Sequence, residues 1–178
     1  MHAVVIGASG GIGAAMVQNL ANRPDIERVF AVSRLGGGAN GDPVTAGQID
    51  ITDEEAVIAA AQTVTDIAKP DLVIVTTGIL SDDKGLAPER SYKQQSLAAF
   101  ETVFAINTFG PGLVAKHFLP IMPRKGRAVF AALSARVGSI SDNRIGGWHA
   151  YRASKAALNM LIRNYAIDPE ERRVRKEC

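Results

Sequence analysis

Apolar and polar positions along this chain follow two alternating rhythms. Short apolar runs at residues 2–6, 28–32, 46–49, 71–76 and 127–133 read as strands, and longer stretches with apolar residues at helical spacing separate them. Strand and helix in turn predict an α/β fold built on a parallel sheet with crossover helices. The first helix is expected to start after Gly10 and to carry Ile12, Met16, Val17 and Leu20 on the face that packs on the sheet. Thr52 followed by Glu55 reads as a capping box, which predicts a helix over 53–68 closed off by Pro70. Residues 36–42 read as a loop. After Asp168 the apolar rhythm stops. Arg172, Arg173, Arg175 and Lys176 interleave there with Glu170, Glu171 and Glu177, so residues 1–168 are expected to form one domain and 169–178 a solvated charged tail.

Composition narrows the function classes. With 178 residues, 47% of them hydrophobic, the chain is sized for a single domain with a proper core. A net charge of +2 gives no case for a nucleic-acid partner, and no apolar run in the sequence looks long enough to span a bilayer. The only cysteine is Cys178, which excludes an internal disulfide and suits a reducing compartment. A strand beginning at the first residues leaves no room for a signal peptide, so a cytoplasmic location is expected. No metal site is expected.

The candidate chemistry lies at two ends of the chain. The first strand runs into Gly7-Ala8-Ser9-Gly10-Gly11-Ile12-Gly13, a glycine-rich strand-to-helix turn whose backbone N–H groups suit a dinucleotide phosphate. Such a turn is also an ordinary tight connection, and it lacks the Lys-Ser or Lys-Thr ending of a nucleoside triphosphate loop. Near the other end Tyr151 and Lys155 stand four apart in Tyr-Arg-Ala-Ser-Lys. On a helix they share a face, where an ammonium favours the ionised phenol. Open parallel sheets bind ligands beyond the C-terminal ends of their strands. Gly7, Ser33-Arg34, Thr76-Thr77-Gly78 and Ser134 all fall at such ends.

With Gly7, Gly11 and Gly13 spaced as Gly-x-x-x-Gly-x-Gly and Tyr151-x-x-x-Lys155 in the right order, the chain resembles the short-chain dehydrogenases/reductases from Met1 to about Asp168. Residues 133–140 and 146–155 look closest to the C-factor and sniffer-like carbonyl reductase branch. The resemblance implies a Rossmann-like doubly wound parallel sheet in the order 3-2-1-4-5, here lacking the family's last strands and the substrate-binding segment that accompanies them. It implies that Gly7, Ser9, Gly11, Ile12 and Gly13 wrap the cofactor pyrophosphate, that Asp50-Ile51 meets the adenine, and that Thr76-Thr77-Gly78 stands where the family has Asn-Asn-Ala-Gly. Without those amide side chains, the bracing of the sheet at this point is left open.

Cofactor choice turns on the end of the second strand, where an acid would select NAD. Ser33-Arg34 stands there instead, and a guanidinium suits a 2'-phosphate, so NADP(H) is expected over NAD(H). By resemblance Tyr151 is the proton donor and acceptor, Lys155 lowers the phenol pKa and binds the nicotinamide ribose, and Asn107 completes a proton relay. The family's second serine after the fifth strand corresponds to Ala135, so Ser134 is taken as the contact for the substrate oxygen, with Ser139 as the other candidate. Trp148 and His149 either wall the substrate or pack the loop. Ala153, Ala157, Leu158, Leu161, Ile162 and Tyr165 make a stripe that either packs on this subunit or, as in the family, helps form a homodimer or homotetramer.

Two function classes follow. One is an NADP(H)-dependent oxidoreductase acting on a small carbonyl or alcohol. The other is a truncated, catalytically weak nucleotide-binding or signalling protein, or a fragment of a longer reductase.

Overall fold

The five strands form because short apolar runs bounded by turns can be buried on both faces only inside a parallel sheet covered by helices. In the computed structural model, which describes residues 1–36 and 41–167, they are β1 (His2–Ile6), β2 (Arg28–Ser33), β3 (Val44–Gln48), β4 (Leu72–Val75) and β5 (Val129–Ala132). Residues 37–40 of the expected loop, Asp168 at the expected domain boundary and the expected tail 169–178 lie outside the described residues.

Two compact units are present. The first comprises Met1–Thr77 and Leu113–Leu133 and holds the entire sheet, ordered β3-β2-β1-β4-β5 with every pairing parallel. This is the expected Rossmann-like order. The register sets Ala3 against Arg28's neighbour Val29 on one side and Leu72 on the other. Alternation along β1 then sorts side chains into two cores. Val4 and Ile6 join Phe30, Val73, Val75, Val57 and Phe118, whereas Ala3 and Val5 join Val29, Ala31, Val17 and Leu20.

Helix α1 (Gly11–Ala21) buries Gly13, Val17 and Leu20, but Ile12, expected on that face, is 60% exposed. A step of one residue turns a helix by about 100°, and the buried line begins at Gly13, so Ile12 is carried out of contact. Helix α2 (Glu54–Ile67) begins as predicted but with a different cap. The Thr52 hydroxyl and N–H both donate to Asp50 Oδ1, at 2.7 and 2.9 Å, and the Asp53 carboxylate accepts the Glu55 N–H at 3.0 Å. Asp50 thus draws Thr52 into a turn, and the stronger carboxylate acceptor replaces the predicted Thr52–Glu55 box at the positive helix end.

The second unit comprises Gly78–Gly112 and the described residues from Ser134 onward. It contains α3 (Leu97–Phe104), a π turn (Ala105–Phe109) and α5 (His149–Tyr165), while α4 (Gly110–Phe118) runs on from the π turn. Against the reading of the linear sequence, the continuous helical stretch Leu97–Ile121, 25 residues, is long and apolar enough by length and composition to cross a membrane. At its middle, Asn107 and Thr108 are buried and hydrogen-bonded to α5. Of the stripe on α5, Leu158 is buried, Ala157, Leu161, Ile162 and Tyr165 are half-buried, and Ala153 is exposed.

Candidate functional site

In the first unit, the turn after β1 is fixed by its backbone. Gly7 takes φ +90°, a region that favours glycine, and its N–H donates to the Val32 carbonyl at 2.9 Å, with the Ala8 N–H donating to the same oxygen at 3.1 Å. A Cβ on Gly13 would run into the Gly7 carbonyl oxygen, so only glycine lets α1 start this close to the strand. A Cβ on Gly11, by contrast, would meet nothing within 4 Å. No side chain caps α1 at Gly10. Its first N–H groups therefore have no capping side chain at the positive end of the helix, which leaves them available to an anion such as a pyrophosphate. Ser9, Gly11 and Ile12 are exposed at this rim.

The bracing left open in the sequence is supplied by a shorter side chain. Thr76 Oγ1 donates to the Ile6 carbonyl at 2.8 Å and lies 3.3 Å from the Gly7 carbonyl, tying the end of β4 to the glycine turn. The Thr77 hydroxyl beside it is buried without a hydrogen-bond partner among the described residues.

At the end of β2, Ser33 is 3% exposed and its Oγ has no hydrogen-bond partner among the described residues, while its carbonyl accepts the Gly36 and Ile49 N–H groups, each at 3.1 Å. A buried hydroxyl left unpaired is costly, and a ligand hydroxyl or phosphate would relieve it. Arg34 is exposed, with its carbonyl held by Gln48 Nε2 at 3.0 Å. The Thr52 hydroxyl and N–H hold the Asp50 carboxyl below the usual carboxylate range, with a smaller contribution from the Arg34 charge. Ile51 belongs to the core, at 5% exposure. These residues fit a dinucleotide: a glycine cradle at one strand end, an orphaned hydroxyl and an exposed guanidinium at the next.

The second unit holds the proton-handling residues. Asn107 sits in the π turn with no exposed surface. Its Oδ1 accepts the Ile79 N–H at 2.8 Å, and its Nδ2 donates to the Ile79 carbonyl at 2.9 Å and to Ser154 Oγ at 3.2 Å. Thr108 Oγ1 donates to the Ser154 carbonyl at 2.9 Å, and Ser154 Oγ donates to the Tyr151 carbonyl at 2.8 Å. One extra residue in the helix turn is thus anchored to the Tyr151 helix, a form that recurs at functional sites. Ser154 belongs to neither sequence motif; its one signal in the chain is a small hydroxyl between Tyr151 and Lys155.

Lys155 is 3% exposed, and its Nζ lies 5.9 Å from the centroid of the Tyr151 ring. Burial pushes its ammonium below the ordinary lysine pKa. A Cβ on Gly78 would lie 3.3 Å from Lys155 Nζ and 3.5 Å from Asn107 Oδ1, so these two groups flank that glycine. The Tyr151 ring also meets Trp148 edge-on, with centroids 6.3 Å apart. Ser134 is exposed, and the half-buried Ser139 accepts the Asp142 N–H at 3.2 Å through its Oγ. Asn107, Tyr151 and Lys155 come together within this unit. The hydrogen bonds and ring contacts that join Asn107, Ser154 and Tyr151 do not pass through Ser134 or Ser139.

The short chain dehydrogenase family model matches residues 1–178. The 1-hydroxy-2-glutathionyl-2-methyl-3-butene dehydrogenase of a Rhodococcus species is 32% identical over 93% of this chain and 70% of its own length. C-signal of Myxococcus xanthus is 42% identical over a shorter region, 36% of this chain and 39% of that protein. Among solved structures, the NADPH-bound carbonyl reductase from chicken fatty liver superposes with a TM-score of 0.74 at 28% identity, covering 90% of this chain and 67% of that one. The chain therefore spans only part of each relative.

Proposed function

We propose that this chain, a member of the short chain dehydrogenase family, is an oxidoreductase that prefers NADP(H) and acts on a small carbonyl or alcohol. The observation that carries this reading is the buried Lys155 ammonium 5.9 Å from the Tyr151 ring, in the same unit as the anchored Asn107. A nicotinamide dinucleotide, when bound, gives hydride to the substrate carbon or takes it away. Gly7, Ser9, Gly11, Ile12 and Gly13 hold its pyrophosphate at the uncapped start of α1. Ser33 and Arg34 take the 2'-phosphate, Asp50 and Ile51 the adenine, and Thr76, Thr77 and Gly78 line its path.

Tyr151 gives its phenolic proton to the carbonyl oxygen as charge builds there, or takes the alcohol proton in reverse. Lys155 supplies positive charge beside the phenol and binds the nicotinamide ribose. Asn107 keeps the helix turn in place beneath the Tyr151 helix and serves the proton relay. Ser134, or Ser139, hydrogen-bonds the substrate oxygen. Association into a homodimer or homotetramer through α5 belongs to the same reading and is supported by the exposed Ala153 and Met160 on that helix.

The test is a fluorescence titration of the protein with NADPH and with NADH, followed by a screen of small ketones, aldehydes and diketones. Saturable binding that favours NADPH, weakened by Arg34→Ala, together with turnover abolished in Tyr151→Phe while binding persists, supports the reading. Equal affinity for the two cofactors that Arg34→Ala leaves unchanged defeats the cofactor preference. A second reading, a nucleotide-binding or signalling protein with weak catalysis, is favoured by Ala135 at the family's serine position and by the similarity to C-signal. Saturable NADPH binding without turnover on any carbonyl supports that one.

A further inference from the structure

Helix α5 starts in an unusual way. Gly146, Gly147 and Trp148 take φ values of +71°, +66° and +52° in succession, and Trp148, a bulky residue in the left-handed region, is the residue that opens the helix. Such a conformation is strained for a residue with a side chain and persists only when its surroundings hold it. No side chain of Trp148 caps α5, and the first turn contains no acid. The first N–H groups of a 17-residue helix therefore lack a local acceptor.

The missing acceptor comes from a residue about 60 positions earlier. Glu89 is 5% exposed, and its two carboxylate oxygens lie 3.3 and 3.4 Å from the Ala150 N–H, which donates to them. The Glu89 carbonyl accepts the Trp148 N–H at 2.6 Å. A Cβ on Gly147 would approach that carbonyl to 3.2 Å, so the backbone contact is close. One residue thus holds both the left-handed turn and the open helix end, and its negative charge sits at the positive pole. Tyr151 follows Ala150 directly, and its ring packs edge-on against Trp148.

We infer that Glu89 is a positioning residue for Tyr151: it fixes the first turn of α5, and thereby the direction of the phenol, without touching substrate. This rests on the reading of Tyr151 as the acid and base. A loss of the cap loosens the turn that aims the phenol, and misplacement by about 1 Å can cost on the order of 100-fold in rate.

The experiment compares Glu89→Ala and Glu89→Gln with the unmutated protein by hydrogen exchange, emission from Trp148, the only tryptophan, NADPH titration and steady-state kinetics. Glu89→Ala is expected to speed exchange of the first-turn amides of α5 about five- to tenfold, the scale of a lost helix cap, and to shift Trp148 emission. NADPH affinity should stay within about twofold of the original, with kcat down on the order of 10–100-fold at unchanged KM for NADPH. Glu89→Gln keeps an acceptor oxygen of the same shape, so it should recover most of the protection and most of kcat, which loss of general stability would not produce. Unaltered exchange and emission in Glu89→Ala overturn the inference. So does a kcat equal to that of the unmutated protein. If the unmutated protein turns over no carbonyl, the enzymatic reading has failed, and exchange and Trp148 emission still decide whether Glu89 holds the turn.

Discussion

Replacing Gly13 by alanine should destabilise the first unit, and replacing Gly11 should not. Both glycines lie in the first turn of α1, and alanine gains about 1 kcal/mol over glycine from helix propensity alone. The surroundings decide the net effect. At Gly13 the added methyl would strike the Gly7 carbonyl oxygen and lie 2.8 Å from both the Gly7 carbonyl carbon and Thr76 Oγ1. Two of these are backbone atoms of a turn whose N–H is tied to Val32, so the turn itself must move. Overpacking of this kind costs about 1–3 kcal/mol, and the contact here lies well inside van der Waals range, which puts it at the upper end. The net for Gly13→Ala is then about 1–2 kcal/mol of destabilisation, or roughly 2–8 °C in Tm for a chain of this size. Gly11→Ala meets nothing within 4 Å and should be neutral or slightly stabilising. Cofactor binding separates the pair in another way, because a methyl on Gly11 would stand in the open space proposed for the pyrophosphate. Gly11→Ala should keep its stability and lose NADPH affinity. Urea unfolding and NADPH titration of the two variants check this. Equal stability of Gly13→Ala and Gly11→Ala would refute the reasoning about the turn, and full NADPH affinity in Gly11→Ala would refute the cradle.

The remaining expectations concern the second unit and the bracing threonine. Asn107→Ala strands the Ile79 N–H and carbonyl inside the protein, so unfolding free energy should drop by about 2–4 kcal/mol; a change below about 0.5 kcal/mol would mean that the π turn is held by something else. Thr76→Val keeps the shape but removes the hydroxyl that binds the Ile6 carbonyl, and should cost about 1 kcal/mol in chemical unfolding; an unchanged midpoint would remove its bracing role. Burial lowers the Lys155 pKa, so the folded chain binds fewer protons than the unfolded chain between that depressed value and about 10.4. The destabilisation is full below the folded pKa and fades as pH rises through the window. The stability of Lys155→Met relative to the unmutated protein should therefore decline as pH rises from neutral towards about 10, and urea curves showing a constant difference would contradict the burial argument.

The sheet was legible because its information is local and repeated. β1, β2, β4 and β5 are mainly apolar runs, and the order of strands and helices leaves few parallel topologies. Tyr151 and Lys155 were legible for a similar reason, since a helix brings residues four apart together whatever surrounds it. The errors came where two local partners competed or where a partner was remote. Thr52 and Asp53 both offer a capping oxygen, and Asp50, which decided between them, acts from outside the helix. Ile12 and Gly13 differ by one step on the helix, and the crowded Gly7 carbonyl selects Gly13. Thr76 standing in for an amide, Ser154 linking Asn107 to α5 and Glu89 capping that helix depend on neighbours 47 to 70 residues away. No spacing rule in the linear chain reports such contacts.

The parallel register also sets the order in which the sheet is completed. β1 pairs with β2 on one side, and its other neighbour is β4, with Ala3 opposite Leu72 and Ile6 opposite Val75. At a synthesis rate of about 5–20 residues per second, roughly 3–14 s separate the emergence of the two strands from the ribosome. During that interval the apolar sequence Ala3-Val4-Val5-Ile6, entirely inaccessible in the finished fold, offers a bare strand edge to the cell. The most deeply buried part of the finished sheet is thus the part most exposed while the protein is being made, and the nascent chain's yield depends on how that edge is shielded until residue 75 arrives.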